Sequence, residues 1–278
     1  MSAPVARRRS DWPQHAFIWL LLGVELLPLY MMAQVSLKDN AGFIRQPWLP
    51  PAPSAWHWEN WTFAFKLVTP YVANSIFVAV TGTIVTLALA LAAAYFFARQ
   101  RGLLATLGWT AFLVLLLMPG IANLVPLFSL LKELSLLNTL TAVIAVGVAG
   151  SQAFCIFVLR GFIEDLPKDL FEAAEIDGAS HLQRLRLIVV PLSAPVLGTL
   201  GVLTFLNKWN EFLLPLIVLR DRGLFTLGVG LIYLDGEYVK HWGHIMAAYF
   251  IAALPLLILF LFTMRLFVKG LSQGAIKG

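Results

Sequence analysis

A run of polar residues interrupts an otherwise apolar stretch near position 210, where side chains could contact a polar molecule. The run consists of Asn207, Lys208, Trp209, Asn210 and Glu211. A charge at the centre of a bilayer costs about 2.5–3.5 kcal/mol, so such residues normally face a bundle interior or a water-filled cavity. Lys208 and Glu211 are close enough in sequence to pair on one helix face. The run therefore indicates either the polar lining of a path through the membrane or a structural role, as an ion pair or a helix–helix contact in the bundle.

A polar segment, residues 163–192, separates two apolar stretches and has the sequence of a small folded unit. Gly178 is placed to end one short helix in a left-handed conformation. Ser180 and Gln183 have the spacing of a capping box, which opens a second helix. Pro191 marks the transition to the next apolar stretch. The segment predicts two short helices joined by a tight glycine turn.

The elements that position these residues are membrane helices. Hydrophobic residues make up 59% of the 278 residues and charged residues 13%, whereas soluble domains carry roughly a quarter charged residues. A helical crossing needs about 20 mostly apolar residues, and alternation typical of a β-barrel is absent. The sequence predicts an all-α membrane protein with six transmembrane helices. The six stretches are approximately 16–37, 74–98, 105–131, 139–162, 193–219 and 244–268.

Lys and Arg residues are distributed unequally between the two sides of these spans. Twelve lie on the side of the termini, seven lie on the other side, and Lys208 lies within a span. Because the more positive side is normally cytoplasmic, both termini are predicted to be in the cytoplasm. The predicted order is a cytoplasmic tail (1–15), a first helix (16–37), an outer loop lying along the membrane interface (38–73), a five-helix core (74–268) containing the cytoplasmic segment 163–192, and a cytoplasmic tail (269–278).

The sequence argues against catalysis and cofactor binding by this chain. A phosphate-binding P-loop needs Gly-Lys followed by Ser or Thr, and none of the eight lysines precedes Ser or Thr. His241 and His244 are the nearest approach to a metal pair, and we do not expect them to bind a metal. The net charge of +5 is spread between apolar segments rather than gathered in a patch, so nucleic-acid binding is not expected.

In the segment 163–192, Glu172-Ala173-Ala174 is followed after three residues by Gly178, and after nine more by Ile188 and Pro191. This pattern resembles the EAA signature of ABC importer permeases, in which EAA is followed by three residues, Gly, nine residues and I-x-L-P. Val190 replaces the usual leucine, and the Asp-Gly-Ala triplet is as found in the sugar branch of the family. The matching residues are Glu172, Ala173, Ala174, Asp177, Gly178, Ala179, Ile188 and Pro191.

Two further stretches resemble the smaller permease subunit of the maltose-type subfamily, namely residues 207–212 and the ending 270–278. The resemblance implies the type I ABC importer permease fold and import of a mono- or oligosaccharide by alternating access in the bacterial inner membrane. It implies that the EAA segment couples to an ATPase, with Gln273 and Gly274 in the tail as further contacts. The implied partners are a second related permease, two copies of an ATPase subunit that hold ATP and Mg²⁺, and a periplasmic or lipid-anchored sugar-binding protein.

Other functions remain open from sequence alone. An ABC permease for another solute, such as glycerol phosphate, would share the same signature. An ion-coupled secondary transporter would need a chain of carboxylates within the membrane, and only Glu25 and Glu211 lie clearly within spans. A membrane enzyme would need convergent catalytic groups, which the sequence does not indicate.

Overall fold

The computed structural model describes residues 12–118, 123–233 and 240–275, with side chains described as far as Thr263. Within these ranges the regular structure is helical and contains no β-strand. Short 3₁₀ turns occur at Pro53–Ala55 and Arg222–Leu224, and a π-helical turn at Leu185–Val189. The α-helices are α1 (Trp12–Val35), α2 (Asn40–Arg45), α3 (Glu59–Arg99), α4 (Leu103–Leu117), α5 (Leu124–Glu133), α6 (Leu140–Glu164), α7 (Lys168–Ile176), α8 (His181–Arg184), α9 (Val190–Leu192), α10 (Ala194–Trp209), α11 (Leu213–Val218), α12 (Leu227–Ile232) and α13 (Trp242–Ala275).

Four described helices are long and apolar enough to cross a membrane: α1, α3, α6 and residues 242–263 of α13. They coincide with four of the six predicted spans. The third predicted span is divided between α4 and α5, and the fifth between α10 and α11. The structure gives a fifth crossing only if the bent pair His181–Leu192 and Ala194–Trp209 is taken as one span. Six crossings, and the cytoplasmic position of both termini, therefore stay predictions.

The predicted outer loop 38–73 is helical over its second half, because α3 begins at Glu59. Ala64, Val68 and Tyr71 are buried along its first turns, at a spacing that places them on one helical face. The nearby prolines and tryptophans favoured an irregular segment along the membrane interface, so this helical periodicity was not recognised in the sequence. The predicted tail is also shorter than expected, since α13 continues to Ala275.

The chain forms two compact units, whose boundaries fall within α3 and α13. The first comprises Met1–Val68 and Leu234–Leu254. In it the buried amide of Asn60 donates to the carbonyl oxygens of Ser36 and Lys38, both at 2.9 Å. Gly243 packs so closely against the Asn60 amide and the Lys38 carbonyl that a Cβ at this position would collide with both.

The second unit, Thr69–Tyr233 and Pro255–Gly278, holds the core that positions the polar segments. Ala90 and Ala94 of α3 are fully buried against Ile156, Leu159 and Ile163 of α6. Small residues allow membrane helices to approach closely. Phe171 of α7 and Val189 belong to the same cluster, so the segment 163–192 is part of this core and not a loose loop.

Candidate functional site

The first half of the predicted segment folds as a hairpin, by which we mean α7, α8 and the turn between them. Helix α7 ends in a Schellman motif: the Ala179 amide donates to the Ala174 carbonyl at 2.8 Å, and the Gly178 amide to Glu175 at 3.0 Å. Gly178 has φ +75°, a conformation that costs other residues energy because of their Cβ atom. The predicted glycine turn is confirmed.

The second helix of the hairpin begins with the predicted capping box. The Ser180 amide donates to Gln183 Oε1 at 2.7 Å, and the Gln183 amide donates to Ser180 Oγ at 3.3 Å. The chain then continues through the π-helical turn and α9 to Ser193, where it bends by 77° into α10. Pro191 precedes this bend, as expected. The hairpin is therefore joined to the fifth predicted span by short helical segments and a bend at Ser193.

Aromatic and cationic side chains fasten the hairpin to α3. The Phe171 ring is only 6% exposed and packs near Tyr95, with ring centroids 6.5 Å apart. The guanidinium carbon of Arg99 lies 3.5 Å from the centroid of the Phe171 ring, a cation–π contact. Arg99 also donates to the carbonyl of Ile163 at 3.3 Å. One arginine thus ties the ends of α3 and α6 to the first helix of the hairpin.

An ion pair joins the two helices of the hairpin. Arg184 of α8 donates to the carboxylate of Glu175 of α7. His181 lies at the edge of the Tyr95 ring, and Tyr95 Oη is 3.4 Å from His181 Nδ1. Both helices of the hairpin therefore contact α3.

The signature residues divide between two environments. Ile188, Ala174 and Ala179 are partly buried, with Ile188 packed against the core, whereas the remaining five are exposed. Apolar side chains accompany them on the surface: Leu170, Ile176, Leu182 and Leu187 are 43, 87, 72 and 69% exposed. Such an apolar patch on a polar hairpin is typical of a protein contact.

The polar run lies at a break between α10 and α11, and its charged residues do not pair. The Lys208 ammonium donates to the Gly147 carbonyl at 2.6 Å and to Ser151 Oγ at 3.3 Å on α6. Glu211 instead accepts the Leu214 amide at 3.1 Å. Of the alternatives left open by the sequence, the Lys208–Glu211 ion pair does not form, because α10 ends at Trp209 and the two residues do not share a helix face.

Three members of the run are accessible and two are not. Asn207, Asn210 and Glu211 are exposed, whereas Lys208 and Trp209 are 9 and 7% exposed. The accessible amides and carboxylate could hydrogen-bond to hydroxyl groups of a solute. The placement of Lys208 favours the structural interpretation for that residue. The translocation path stays a prediction, now centred on the three exposed side chains.

Sequence reasoning missed the residues that hold Lys208. The Lys208 side chain lies in a slot between Gly82 of α3 and Gly147 of α6: a Cβ on Gly82 would be 2.7 Å from Lys208 Cδ, and one on Gly147 would be 3.3 Å from Nζ. The only available signal was a glycine in each of two apolar spans. The contacts of Arg99 were likewise not predicted. In the sequence it is only one of the twelve Lys and Arg residues on the side of the termini.

We expect Gly82→Ala to destabilise the protein by about 1–3 kcal/mol, the range for overpacking a core. The added methyl group would displace a lysine methylene that the Gly147 contact holds in place. Thermal unfolding of the purified chain in detergent measures the effect. Gly150→Ala is the matched control, since nothing lies within 4 Å of a Cβ there. Adding Lys208→Ala should remove most of the Gly82→Ala penalty, and an unchanged penalty would contradict the slot.

The remaining candidate residues lie apart from these sites. Gln273 and Gly274 fall within the backbone of α13, but their side chains lie outside the described part of the chain. The rings of His241 and His244 are 5.1 Å apart, and no three described His, Cys, Asp or Glu residues are placed to hold a metal ion. Glu25 is exposed on α1.

Comparison with known proteins places these sites in a family. Residues 90–273 match the family model described as the inner membrane component of binding-protein-dependent transport systems. The matched range covers the hairpin, the polar run and most of α13. Among the described candidate residues, only Glu25 lies before it.

Curated relatives match almost the whole chain. The sulfoquinovosyl glycerol transport permease of Agrobacterium fabrum is 34% identical over 93% of this chain and 91% of its own length. The diacetylchitobiose uptake permease of Streptomyces coelicolor is 31% identical, covering 96 and 97%. The maltose/maltodextrin permease MalG of Vibrio vulnificus is also 31% identical, covering 96% of each chain.

A solved structure has the same fold. A chain of a bacterial ABC transporter involved in import of the acidic polysaccharide alginate superimposes with a TM-score of 0.79. The match covers 95% of this chain and 99% of that one, at 22% identity. Together with the family match and the relatives above 30% identity, these comparisons establish that the chain belongs to the inner membrane components of binding-protein-dependent transport systems and is an ABC importer permease.

Proposed function

We propose that the chain is one of two permease subunits of an ATP-driven importer that carries a mono- or oligosaccharide across a bacterial inner membrane by alternating access. The second permease is a related chain. Two copies of an ATPase subunit bind ATP and Mg²⁺, and a periplasmic or lipid-anchored protein delivers the sugar. This chain is a transport subunit and leaves ATP hydrolysis to its partner.

The observation that carries the coupling role is the fixed hairpin. Its outer surface presents apolar side chains that a partner could bury, including Ile176 and Leu182. Its inner surface is attached to α3 through Phe171 and Arg99. A partner can shift a conformational equilibrium only if it binds the two states differently. A hairpin attached to the core would transmit such a difference, and a mobile linker would not.

The proposal that the substrate is a sugar rests on the relatives and on the polar run. The three relatives are named for substrates that contain a sugar or a sugar oligomer. Asn207, Asn210 and Glu211 are exposed beside a broken span. Breaks of this kind near the midplane commonly mark binding sites in transporters. Amide and carboxylate groups are suited to hydroxyl-rich solutes.

Gentle purification of the tagged chain from its native membranes tests the assembly. We expect an ATPase subunit and a second permease to co-purify. A homo-oligomer without an ATPase, under conditions that preserve a control ABC complex, would contradict the proposal. The substrate class is tested separately with the reconstituted complex and its binding protein. A sugar substrate should stimulate ATP hydrolysis by the complex. Stimulation only by non-carbohydrate solutes would show that the substrate is not a sugar.

A further inference from the structure

A cavity of about 870 Å³ lies in the second unit between the hairpin, the ends of α3 and α6, and the start of α4. Five basic side chains line it: Arg99, Arg101, Arg160, Lys168 and Arg184. They come from four separate stretches of the chain. The proposed coupling to an ATPase uses the outer surface of the hairpin. It does not explain why basic side chains line this cavity.

The acidic residues of the cavity do not balance these charges. Glu164, Glu172 and Glu175 also line it, which leaves two positive charges in excess. Glu164 pairs with Arg160 at 2.8 Å, and Glu175 with Arg184. An excess of two charges suits a ligand that carries one or two negative charges, as phosphate esters do at neutral pH.

Three guanidinium groups also have unused donors. The Nε atoms of Arg99, Arg160 and Arg184 are buried and have no hydrogen-bond partner among the described residues. The whole Arg184 side chain is only 10% exposed. A buried donor without an acceptor is unfavourable, because nothing replaces the hydrogen bond that it would make with water. Guanidinium groups favour phosphate oxygens as acceptors because their geometry allows paired, charge-assisted hydrogen bonds.

The cavity lies at the ends of two long apolar helices, α3 and α6, where lipid headgroups are expected. Arg99 is the last residue of the long apolar helix α3, and Arg160 lies in the last turns of α6, with its guanidinium 4.0 Å from the Trp109 ring. Tryptophan is enriched at the boundary between membrane and water. Beside the cavity, α4 exposes Leu103 and Leu104, which are 74 and 83% accessible. A phosphate in the cavity would have an apolar helix surface next to it for acyl chains.

We propose that this cavity binds the phosphate group of an anionic phospholipid, with Arg101 and Arg160 as its principal contacts. Basic pockets at the ends of membrane helices bind such headgroups in other proteins. The ligand would join the ends of α3 and α6 to the hairpin through Lys168 and Arg184. The proposal concerns lipid and not the transported solute, so it stands apart from the proposed sugar specificity.

Native mass spectrometry of the detergent-purified full chain tests the site. Short-chain phosphatidylglycerol should bind at least 10-fold more tightly than phosphatidylcholine. Arg101→Gln and Arg160→Gln should each remove most of that preference. Arg186→Gln is the matched control: Arg186 is exposed on the same segment and does not line the cavity, so this variant should bind as the wild type does.

A second titration, with glycerol phosphate, separates the two sources of the phosphate group. Arginine-dependent binding of phosphatidylglycerol, with glycerol phosphate as a weak competitor, supports a lipid site. Arginine-dependent binding of glycerol phosphate without a lipid preference overturns the lipid and leaves a soluble phosphate ester as the ligand. Equal binding of both lipids, or equal loss in all three arginine variants, overturns the site itself. Circular dichroism of each variant shows whether it is folded.

Discussion

Replacing Gly178 with valine is expected to abolish most solute uptake while leaving the protein in the membrane. Gly178 has φ +75° and no atom lies within 4 Å of a Cβ built there, so the penalty is conformational and not a clash. A left-handed conformation costs an ordinary residue about 1–2 kcal/mol, and a β-branched residue more. A change of that size alters the ratio of two states about 5–30-fold. We expect the turn to reopen, uptake to fall at least about 5-fold, and the ATPase to associate less.

Gly178→Asn is the control for this experiment, because asparagine adopts left-handed conformations at lower cost. It should retain most of the uptake that valine loses. Membrane insertion, measured by fractionation, should be equal in both variants. Wild-type uptake together with wild-type ATPase association in Gly178→Val would show that the turn does not contribute to coupling.

Replacing Phe171 with alanine is expected to detach the hairpin from α3. The ring is buried against Tyr95 and beneath the Arg99 guanidinium. Truncation of a buried Phe to Ala typically costs about 3–5 kcal/mol. The free energy of local opening should fall by a similar amount, so hairpin amides should exchange at least about 100-fold faster. Hydrogen exchange of the purified chain measures this directly, and uptake should fall with it.

Leu170→Ala is the control that separates the attachment of the hairpin to α3 from its proposed contact with the ATPase. Leu170 is adjacent in sequence to Phe171 but is 43% exposed. Its truncation should leave hairpin exchange in the isolated chain unchanged, whatever its effect on the ATPase contact. Equal acceleration in both variants would mean that Phe171 does not anchor the hairpin specifically.

The hairpin could be predicted closely because its determinants are local. Gly178, Ser180 and Gln183 are within six positions of one another, and the hydrogen bonds that they make are fixed by spacing. The contacts that anchor the hairpin join residues far apart in the chain, such as Arg99 and Phe171. Neither spacing nor composition indicates such a pair.

The break in the fifth span has a physical cause that sequence reasoning undervalued. Pro215 has no amide hydrogen to bond with the carbonyl of Glu211, and its ring crowds that carbonyl. Helix α10 ends before this point, and the Glu211 carboxylate accepts the Leu214 amide at the start of α11. An ordinary proline kink would have left Lys208 and Glu211 on one helix face, where their spacing would allow them to pair. Lys208 instead bonds to Gly147, 61 positions away.

The bend at Ser193 has a mechanical consequence. Helix α10 contains 16 residues, so it is about 24 Å long. If the angle at Ser193 changes by about 10° while the hairpin stays in contact with α3, the far end of α10 is displaced by about 4 Å. That end carries Asn207 and Asn210. A small change in the angle at this bend would therefore move the exposed amides of the polar run by about the width of a hydroxyl group.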